Sequence, residues 1–148
     1  MKTDTLCLSA GWQPKNGEPR QLPIIQSTTF AYETCEQMMA DLFDLKTAGY
    51  FYSRVQNPTC DNVAAKICAL EGGAAAMLTS SGQAAIFFAL FNLAKAGTHI
   101  VASSSIYGGS HNLIASTLKS MGVESTFIDP DCSDEEFEAA FRPNTVCV

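Results

Sequence analysis

Basic residues are scarce in this sequence. Lysine and arginine total 9 against 15 aspartates and glutamates, so the 148 residues carry a formal net charge of −6. The cations are also scattered, and no basic stripe is available to displace counterions from nucleic acid phosphates. The composition therefore argues against a nucleic-acid-binding surface, and we expect no nucleic acid partner.

Long apolar runs and an export signal are lacking as well. No stretch approaches the ~20 consecutive apolar residues that a membrane span needs, and no hydrophobic segment follows the polar start, Met1 to Thr5. None of the six cysteines forms a C-x-x-C pair or has the spacing of zinc ligands. We therefore expect no membrane partner, no metal site, and reduced thiols in a cytoplasmic protein.

What is present is the apolar content of a globular protein, 47% of residues, with a change of pattern near residue 50. Residues 1–49 combine turn formers, an apolar β-branched run over 22–30 and apolar residues at helical spacing over 35–45. We interpret them as an N-terminal arm that clasps a neighbouring subunit. Residues 50–148 alternate helices and strands, which predicts a mostly parallel α/β sheet with helices on both faces.

The second region can be divided into elements. Asn57 and Pro58 predict the start of a helix that ends at Gly72, and the apolar run 74–79 predicts a buried strand. A helix over 83–95 is apolar almost all round, which is typical of an interior helix. Further predicted elements are strands over 99–102, 124–129 and 145–148, a helix over 111–120, and a short helix opened by a capping box at Ser133. Because the chain stops inside its last predicted strand, we expect it to be an N-terminal piece of a longer protein.

One candidate anion site is the turn Thr79–Gln83, between the predicted strand and the apolar helix. A helix N-terminus offers unpaired N–H groups and partial positive charge, Gly82 lets a ligand approach the backbone, and Ser80 and Ser81 add hydroxyl groups. A phosphate is the most suitable ligand. The alternative is that these residues only cap the helix, and no P-loop sequence is present.

Two further candidate sites contain tyrosine. Tyr52 and Arg54 are two residues apart, so an extended backbone would place a phenol and a guanidinium on one face, as suits phosphate or carboxylate recognition. Tyr107 precedes two glycines after a predicted strand and could present its ring to a flat ligand. Taken singly, each is also explained as a packing or loop residue.

Together these motifs resemble the pyridoxal 5'-phosphate (PLP)-dependent enzymes of Cys/Met metabolism. The resemblance is carried, in this order, by Tyr52-Ser53-Arg54, Asn57-Pro58-Thr59, Thr79–Ala85 and Tyr107-Gly108-Gly109, and the opening runs 10–14 and 23–30 are similar too. It implies an incomplete large PLP domain of the fold type I, aspartate-aminotransferase-like class.

The resemblance also implies roles for the candidate residues. The backbone N–H groups of Gly82 and Gln83, with Ser81, would bind the PLP phosphate, and Tyr107 would stack on the pyridine ring.

Tyr52 and Arg54 would reach the phosphate bound by a neighbouring subunit, and Tyr52 would also lie near the substrate amino group. Enzymes of this family are usually tetramers built from active dimers, so the resemblance implies a homo-oligomer.

Within the family, the loop after Tyr107 and the segment Thr126–Pro130 are most similar to those of O-acetylhomoserine sulfhydrylases. That similarity implies γ-replacement on O-acetylhomoserine by sulfide or methanethiol, with acetate released. Methionine γ-lyase and cystathionine γ-synthase or lyase are alternatives. A non-catalytic truncated fragment and, ranked last, a nucleotide-binding α/β domain are alternatives of other classes. The family's Schiff-base lysine has no counterpart among the lysines here, so we expect the chain alone to be inactive.

Overall fold

The computed structural model describes residues 2–38 and 49–148, which form two compact units that divide after Leu78. The first unit contains α1 (Thr3–Ser9), α2 (Cys35–Met38) and α3 (Pro58–Glu71). The second contains, in chain order, α4 (Gly82–Leu93), β1 (His99–Ser103), α5 (Gly108–Asn112) with a π-helical continuation (Leu113–Leu118), β2 (Glu124–Ile128), α6 (Asp134–Ala139) and β3 (Thr145–Cys147). None of the described helices is long and apolar enough to cross a lipid bilayer.

Helix α3 has the ends that the sequence predicts. The Asn57 side chain accepts a hydrogen bond from the Thr59 amide at 2.9 Å, and Pro58 occupies the first turn, where its missing N–H costs nothing. Gly72 ends the helix in the left-handed conformation, with φ of 66°. Local capping residues therefore set both ends of this helix, independently of its packing.

Helix α1 packs against α3 in the first unit, and the sequence did not predict it. The chain leaves α1 through Gly11, whose φ is +86°. A β-carbon at this position would lie 2.4 Å from the backbone oxygen of Asn62, so only glycine allows the close approach to α3.

The second unit is built on a three-stranded parallel sheet, as predicted. Strand β1 is central, with β2 and β3 on its two sides. The helical crossovers between the strands make this unit part of an α/β domain. The predicted capping box is also confirmed, because Ser133 and Glu136 exchange hydrogen bonds at the start of α6.

The main hydrophobic cluster of the second unit lies on one face of β1. Ile100 and Ala102 point to this face and pack against apolar side chains of the π-helical segment and its neighbours. Phe87 and Leu90 of α4 pack against the same cluster. The buried residues of the cluster are Ala94, Ile100, Ala102, Leu113, Ile114, Leu118 and Val123.

Three predictions about the elements need correction, and a fourth lies mostly outside the described residues. Residues 74–79 have no regular secondary structure and are mostly exposed, whereas we predicted a buried strand. In the described part of the chain no neighbouring strand pairs with them. Helix α4 is half-covered rather than interior, since Phe88 and Phe91 remain 53% and 50% exposed. The helix predicted over 111–120 begins three residues earlier, at Gly108. Of the helix predicted over 35–45, the structure describes residues 35–38 only.

Candidate functional site

The N-terminus of α4 offers two free backbone donors. Ser81 caps the helix: its Oγ accepts from the Ala84 amide at 3.0 Å, and its carbonyl accepts from the Ala85 amide at 3.0 Å. Within the described residues, the amides of Gly82 and Gln83 have no acceptor. Unpaired N–H groups at the positive end of a helix favour an anion.

The surroundings of these amides leave room for a ligand. Gly82 is exposed, and a β-carbon built on it would meet no heavy atom within 4 Å. The Ser81 hydroxyl is also exposed, and its hydrogen has no recorded acceptor in the described chain. Three donors without a partner among the described residues therefore lie at this helix end, which suits a phosphate group.

Tyr107 lies after the carboxyl end of β1, directly before α5. It occupies the N-cap position of α5, but its side chain makes no capping bond. The ring is 78% exposed, so one of its faces is available for stacking. The carboxyl ends of strands are where ligands bind in open α/β sheets.

Gln83 and Tyr107 line the same cleft, which has a volume of about 480 Å³. This volume is within the range of ~300–1,000 Å³ that is usual for small-molecule sites. The Nε2 of Gln83 donates to the carbonyl oxygen of Gly109 at 3.2 Å. The structure thus brings the predicted anion site and the predicted stacking residue together within the second unit. The remaining lining residues are Gly109, Asn112, Leu113 and Thr117.

Tyr52 and Arg54 are in contact within the first unit. The Arg54 guanidinium carbon lies 5.1 Å from the centroid of the Tyr52 ring, which is a cation–π distance. We predicted an extended backbone at these residues, and the structure has a turn instead. The amides of Val55 and Gln56 both bond to the Tyr52 carbonyl, and these bonds close a turn that folds Arg54 back over the ring.

The segment that carries Tyr52 and Arg54 is held by the N-terminal arm of the same chain. Tyr52 forms an antiparallel bridge with Thr29, and the Ser53 amide donates to Thr28 O at 2.9 Å. Arg54 is exposed, and among the described residues its guanidinium forms no ion pair. A cleft of about 350 Å³ opens beside Arg54 and Asn57.

Asn57 has a larger structural role than the helix cap that its position predicts. Its buried side chain donates from Nδ2 to Ile25 O at 3.1 Å and to Ser53 Oγ at 2.9 Å, while Oδ1 caps α3. Thr59 Oγ1 accepts from the Ile25 amide at 2.9 Å. These partners are about thirty residues apart in the chain, which is why sequence spacing did not reveal them.

Tyr50 and His99 have environments that favour the neutral form. Partial burial, and then the neighbouring Asp61 carboxylate, raise the pKa of Tyr50. Burial, and then the positive charge of Arg142, lower the pKa of His99, with Glu124 opposing. The His99 ring nitrogens lie 2.8 Å from Thr145 Oγ1 and 2.9 Å from Thr126 Oγ1. His99 is therefore a buried structural group.

The residues of the second unit fit PLP. Free amides and a hydroxyl group at the start of α4 suit its phosphate, and the exposed Tyr107 ring in the same cleft suits its flat pyridine ring. The parallel sheet, the helix N-terminus and the aromatic residue define the class as a PLP-dependent enzyme of fold type I, of which the chain is a partial domain.

Comparison with known proteins identifies the family. The family model described as "Cys/Met metabolism PLP-dependent enzyme" matches residues 4–148. The chain belongs to this family, whose cofactor is PLP.

The relatives of this chain carry names of more than one activity. The chain is 43% identical to a homocysteine/cysteine synthase of Kluyveromyces lactis, over 96% of this chain and 32% of the relative. It is 44% identical to O-acetyl-L-homoserine sulfhydrylase 1 of Thermus thermophilus, over 94% of this chain and 33% of the relative. It is also 44% identical to an L-methionine gamma-lyase of Porphyromonas gingivalis, over 85% of this chain and 31% of the relative. The chain thus spans about a third of the length of the curated relatives it matches.

A solved structure from Campylobacter jejuni has the same fold. It is described as an O-acetylhomoserine (thiol)-lyase and contains a pyridoxyl-lysine monophosphate. The TM-score is 0.86 and the sequence identity 36%, over 98% of this chain and 35% of that one. The predicted family and the predicted cofactor are both confirmed. The roles of Tyr52, Arg54, Ser81, Gly82, Gln83 and Tyr107, and the division of the chain at residues 49 and 50, stay predictions.

Proposed function

We propose that this chain is part of an enzyme that replaces the acetoxy group of O-acetylhomoserine by the sulfur of sulfide or methanethiol. The Cγ–O bond breaks, a Cγ–S bond forms, and homocysteine or methionine leaves together with acetate. The observation that carries the proposal is the pair of free amides, Gly82 and Gln83, in reach of the cleft that contains Tyr107. The relatives named as sulfhydrylases or homocysteine synthases support the choice of substrate.

The start of α4 binds the phosphate in this proposal. The amides of Gly82 and Gln83 donate to phosphate oxygens, the Ser81 hydroxyl adds a third donor, and the helix dipole favours the negative charge. Tyr107 covers one face of the pyridine ring and holds it in position. Bound PLP supplies an electron sink that stabilises negative charge on the substrate carbons.

Tyr52 and Arg54 act in a second subunit. The exposed Arg54 guanidinium donates to the phosphate bound by the neighbouring copy, since a guanidinium fits phosphate with paired hydrogen bonds. The Tyr52 ring, in contact with Arg54, limits where the guanidinium can lie. The Tyr52 hydroxyl lies near the substrate amino group in this proposal. This proposal requires a homo-oligomer with shared sites.

The covalent lysine is proposed to belong to the part of the relatives' length that this chain does not span. The six lysines here match no lysine motif of the family, so the chain by itself is expected to be inactive. We also propose a cytoplasmic location. All six cysteines are free in the structure, which is consistent with a reducing compartment.

The test is a comparison of two assays on the full-length protein loaded with PLP. Homocysteine and acetate should form from O-acetylhomoserine and sulfide, and ammonia release from methionine should be much slower. Faster ammonia release would instead favour the second candidate, a methionine γ-lyase, which the Porphyromonas gingivalis relative supports. Absence of both activities and of PLP binding would contradict the enzyme proposal.

The isolated 148-residue chain provides a second test. Size-exclusion chromatography, circular dichroism and PLP titration together separate a PLP-binding partial domain from a non-catalytic fragment. A well-folded monomer that does not bind PLP would support the fragment alternative. Tight binding of NAD or ATP would instead favour a nucleotide-binding domain.

A further inference from the structure

We propose that the side chain of Gln83 is a positioning residue, which fixes the loop of Tyr107 relative to the phosphate-binding start of α4. The family resemblance assigns Gln83 a role through its backbone amide, and no role follows from it for the side chain. The proposal rests on the proposed function, because it concerns how the same cleft holds PLP.

The first step is the hydrogen bond itself. Gln83 Nε2 donates to Gly109 O at 3.2 Å across 26 positions of sequence. The same carbonyl also accepts from the Leu113 amide of the following helical turn, so its position is fixed on the α5 side. Among the described residues, this is the single hydrogen bond recorded between residues 79–85 and residues 104–112. The Gln83 side chain therefore links two elements that are otherwise joined by packing only.

The second step is the contact that Gly109 makes with both partners. A β-carbon at Gly109 would lie 2.6 Å from Cε1 of Tyr107 and 3.2 Å from Oε1 of Gln83. The Tyr107 ring and the Gln83 amide thus meet at this glycine. The link consequently affects the position of the ring as well as the position of the backbone.

The third step is the geometric demand of the ligand. In PLP the phosphate is joined to the ring by one short CH2–O linker, so the distance between phosphate and ring can vary only within a narrow range. The amides at the start of α4 bind one end, while Tyr107 has to lie over the other. A hydrogen bond that sets the spacing before PLP arrives removes part of the ordering cost of binding. Loss of this bond should weaken PLP binding without affecting the phosphate site alone.

The experiment is a double-mutant cycle in the full-length protein with PLP as the probe. Gln83→Met keeps the length of the side chain and removes its donor. We expect it to weaken PLP binding about 2- to 10-fold, as is usual for loss of one hydrogen bond. In a Tyr107→Ala background the same change should weaken binding less than about 2-fold, because residues that act through each other are not additive.

Two further readouts separate positioning from general structure. At saturating PLP, the visible circular dichroism of the bound cofactor should decrease in Gln83→Met, because the ring is held less firmly. Competition by inorganic phosphate alone should stay within about 2-fold of the unchanged protein, because the backbone amides are intact. Gln21→Met makes the same chemical change at an exposed glutamine and should alter none of these values.

The possible outcomes are distinct. Equal PLP binding and dichroism in Gln83→Met and the unchanged protein would overturn the positioning role while leaving the proposed function intact. An equal effect with and without Tyr107 would also overturn it, since Gln83 would then act independently. If the unchanged protein bound no PLP, the proposed function and this inference would both be wrong. If the Gln83→Met variant does not fold, Gln83→Leu is measured in the same cycle instead.

Discussion

The two units of the chain are stabilised by different kinds of interaction. In residues 79–148, apolar side chains from the strands and helices form a buried cluster on one face of β1. In the described part of residues 1–78, Ala64 is the one buried hydrophobic residue, and hydrogen bonds around Asn57 join the arm to the start of α3. An apolar cluster tolerates small rearrangements, whereas a set of directed bonds does not. The stability of the first unit therefore depends on a few individual polar groups.

Removal of a core side chain from the second unit should have the largest effect. Leu118 is fully buried, and Leu118→Ala should cost about 2–5 kcal/mol of unfolding free energy because it leaves a cavity. Leu70 in α3 is 38% exposed, and Leu70→Ala should cost clearly less. Urea unfolding measured by circular dichroism compares the two variants. Equal losses would show that the two units do not differ in the way described.

Asn57 should dominate the first unit. Asn57→Ala removes the cap of α3, about 0.5–2 kcal/mol in itself, and also the bonds to Ile25 O and Ser53 Oγ. We expect a total loss of about 1–3 kcal/mol. Hydrogen exchange should accelerate in the first turn of α3 and at the Ile25 amide, which bonds to Thr59. Asn16→Ala, at an exposed turn, is the matched control. Unchanged protection at Ile25 would contradict the role of Asn57.

The pH dependence of the second unit should reflect His99. Because folding lowers the pKa of His99 below its usual 6.5, the unfolded state binds the proton more readily. The contribution of His99 to the free energy of unfolding is complete above about pH 6.5 and is lost as the pH falls through the pKa of the folded state. The loss is about 1.4 kcal/mol for each unit by which the folded pKa lies below the unfolded pKa. Urea unfolding at about pH 7.5 and about pH 5.5 measures this loss.

The control for this prediction is His99→Asn, which does not titrate in that range. Its stability should change less with pH over the same interval than that of the unchanged protein. An identical pH dependence in the two proteins would mean that another group, and not His99, is responsible.

The smallest effect is expected from a polar group of the second unit. Ser133→Ala removes one half of the capping box of α6 and should cost about 1 kcal/mol or less, because the helix is short and exposed. Hydrogen exchange at the Glu136 amide should accelerate, while protection in β1 should not change. A loss as large as that of Asn57→Ala would remove the contrast between the two units.

The sequence predicted features with local signals correctly, and it failed for features that depend on distant parts of the chain. The three strands and the start of α3 were predicted because their signals, apolar runs and capping residues, are local. The burial of α4 was predicted wrongly, since an all-apolar helix indicates a preference for burial but not what covers it. For the same reason residues 74–79 were assigned to a strand although no described strand pairs with them.

The candidate site shows a similar division. The turn at Ser81–Gln83 and the tyrosine at 107 were identified from local residue types. Tyr52 and Arg54 were expected to share one face of an extended backbone, whereas the structure brings them into contact through a turn. The bond from the Gln83 side chain to Gly109 was not predicted, because it joins residues 26 positions apart and depends on the packing of α4 beside α5.

The π-helical segment after α5 has a consequence for how this region can vary. A π turn takes in one residue more than an α turn, and such turns are rare and usually short. The segment therefore contains one residue that a regular helix would not need between the Tyr107 loop and Leu118. Deletion of Ala115 would allow an ordinary α-helix to span the same distance. This segment can therefore accept a change in chain length. Elsewhere in the unit, the same change would shift the side chains that follow it.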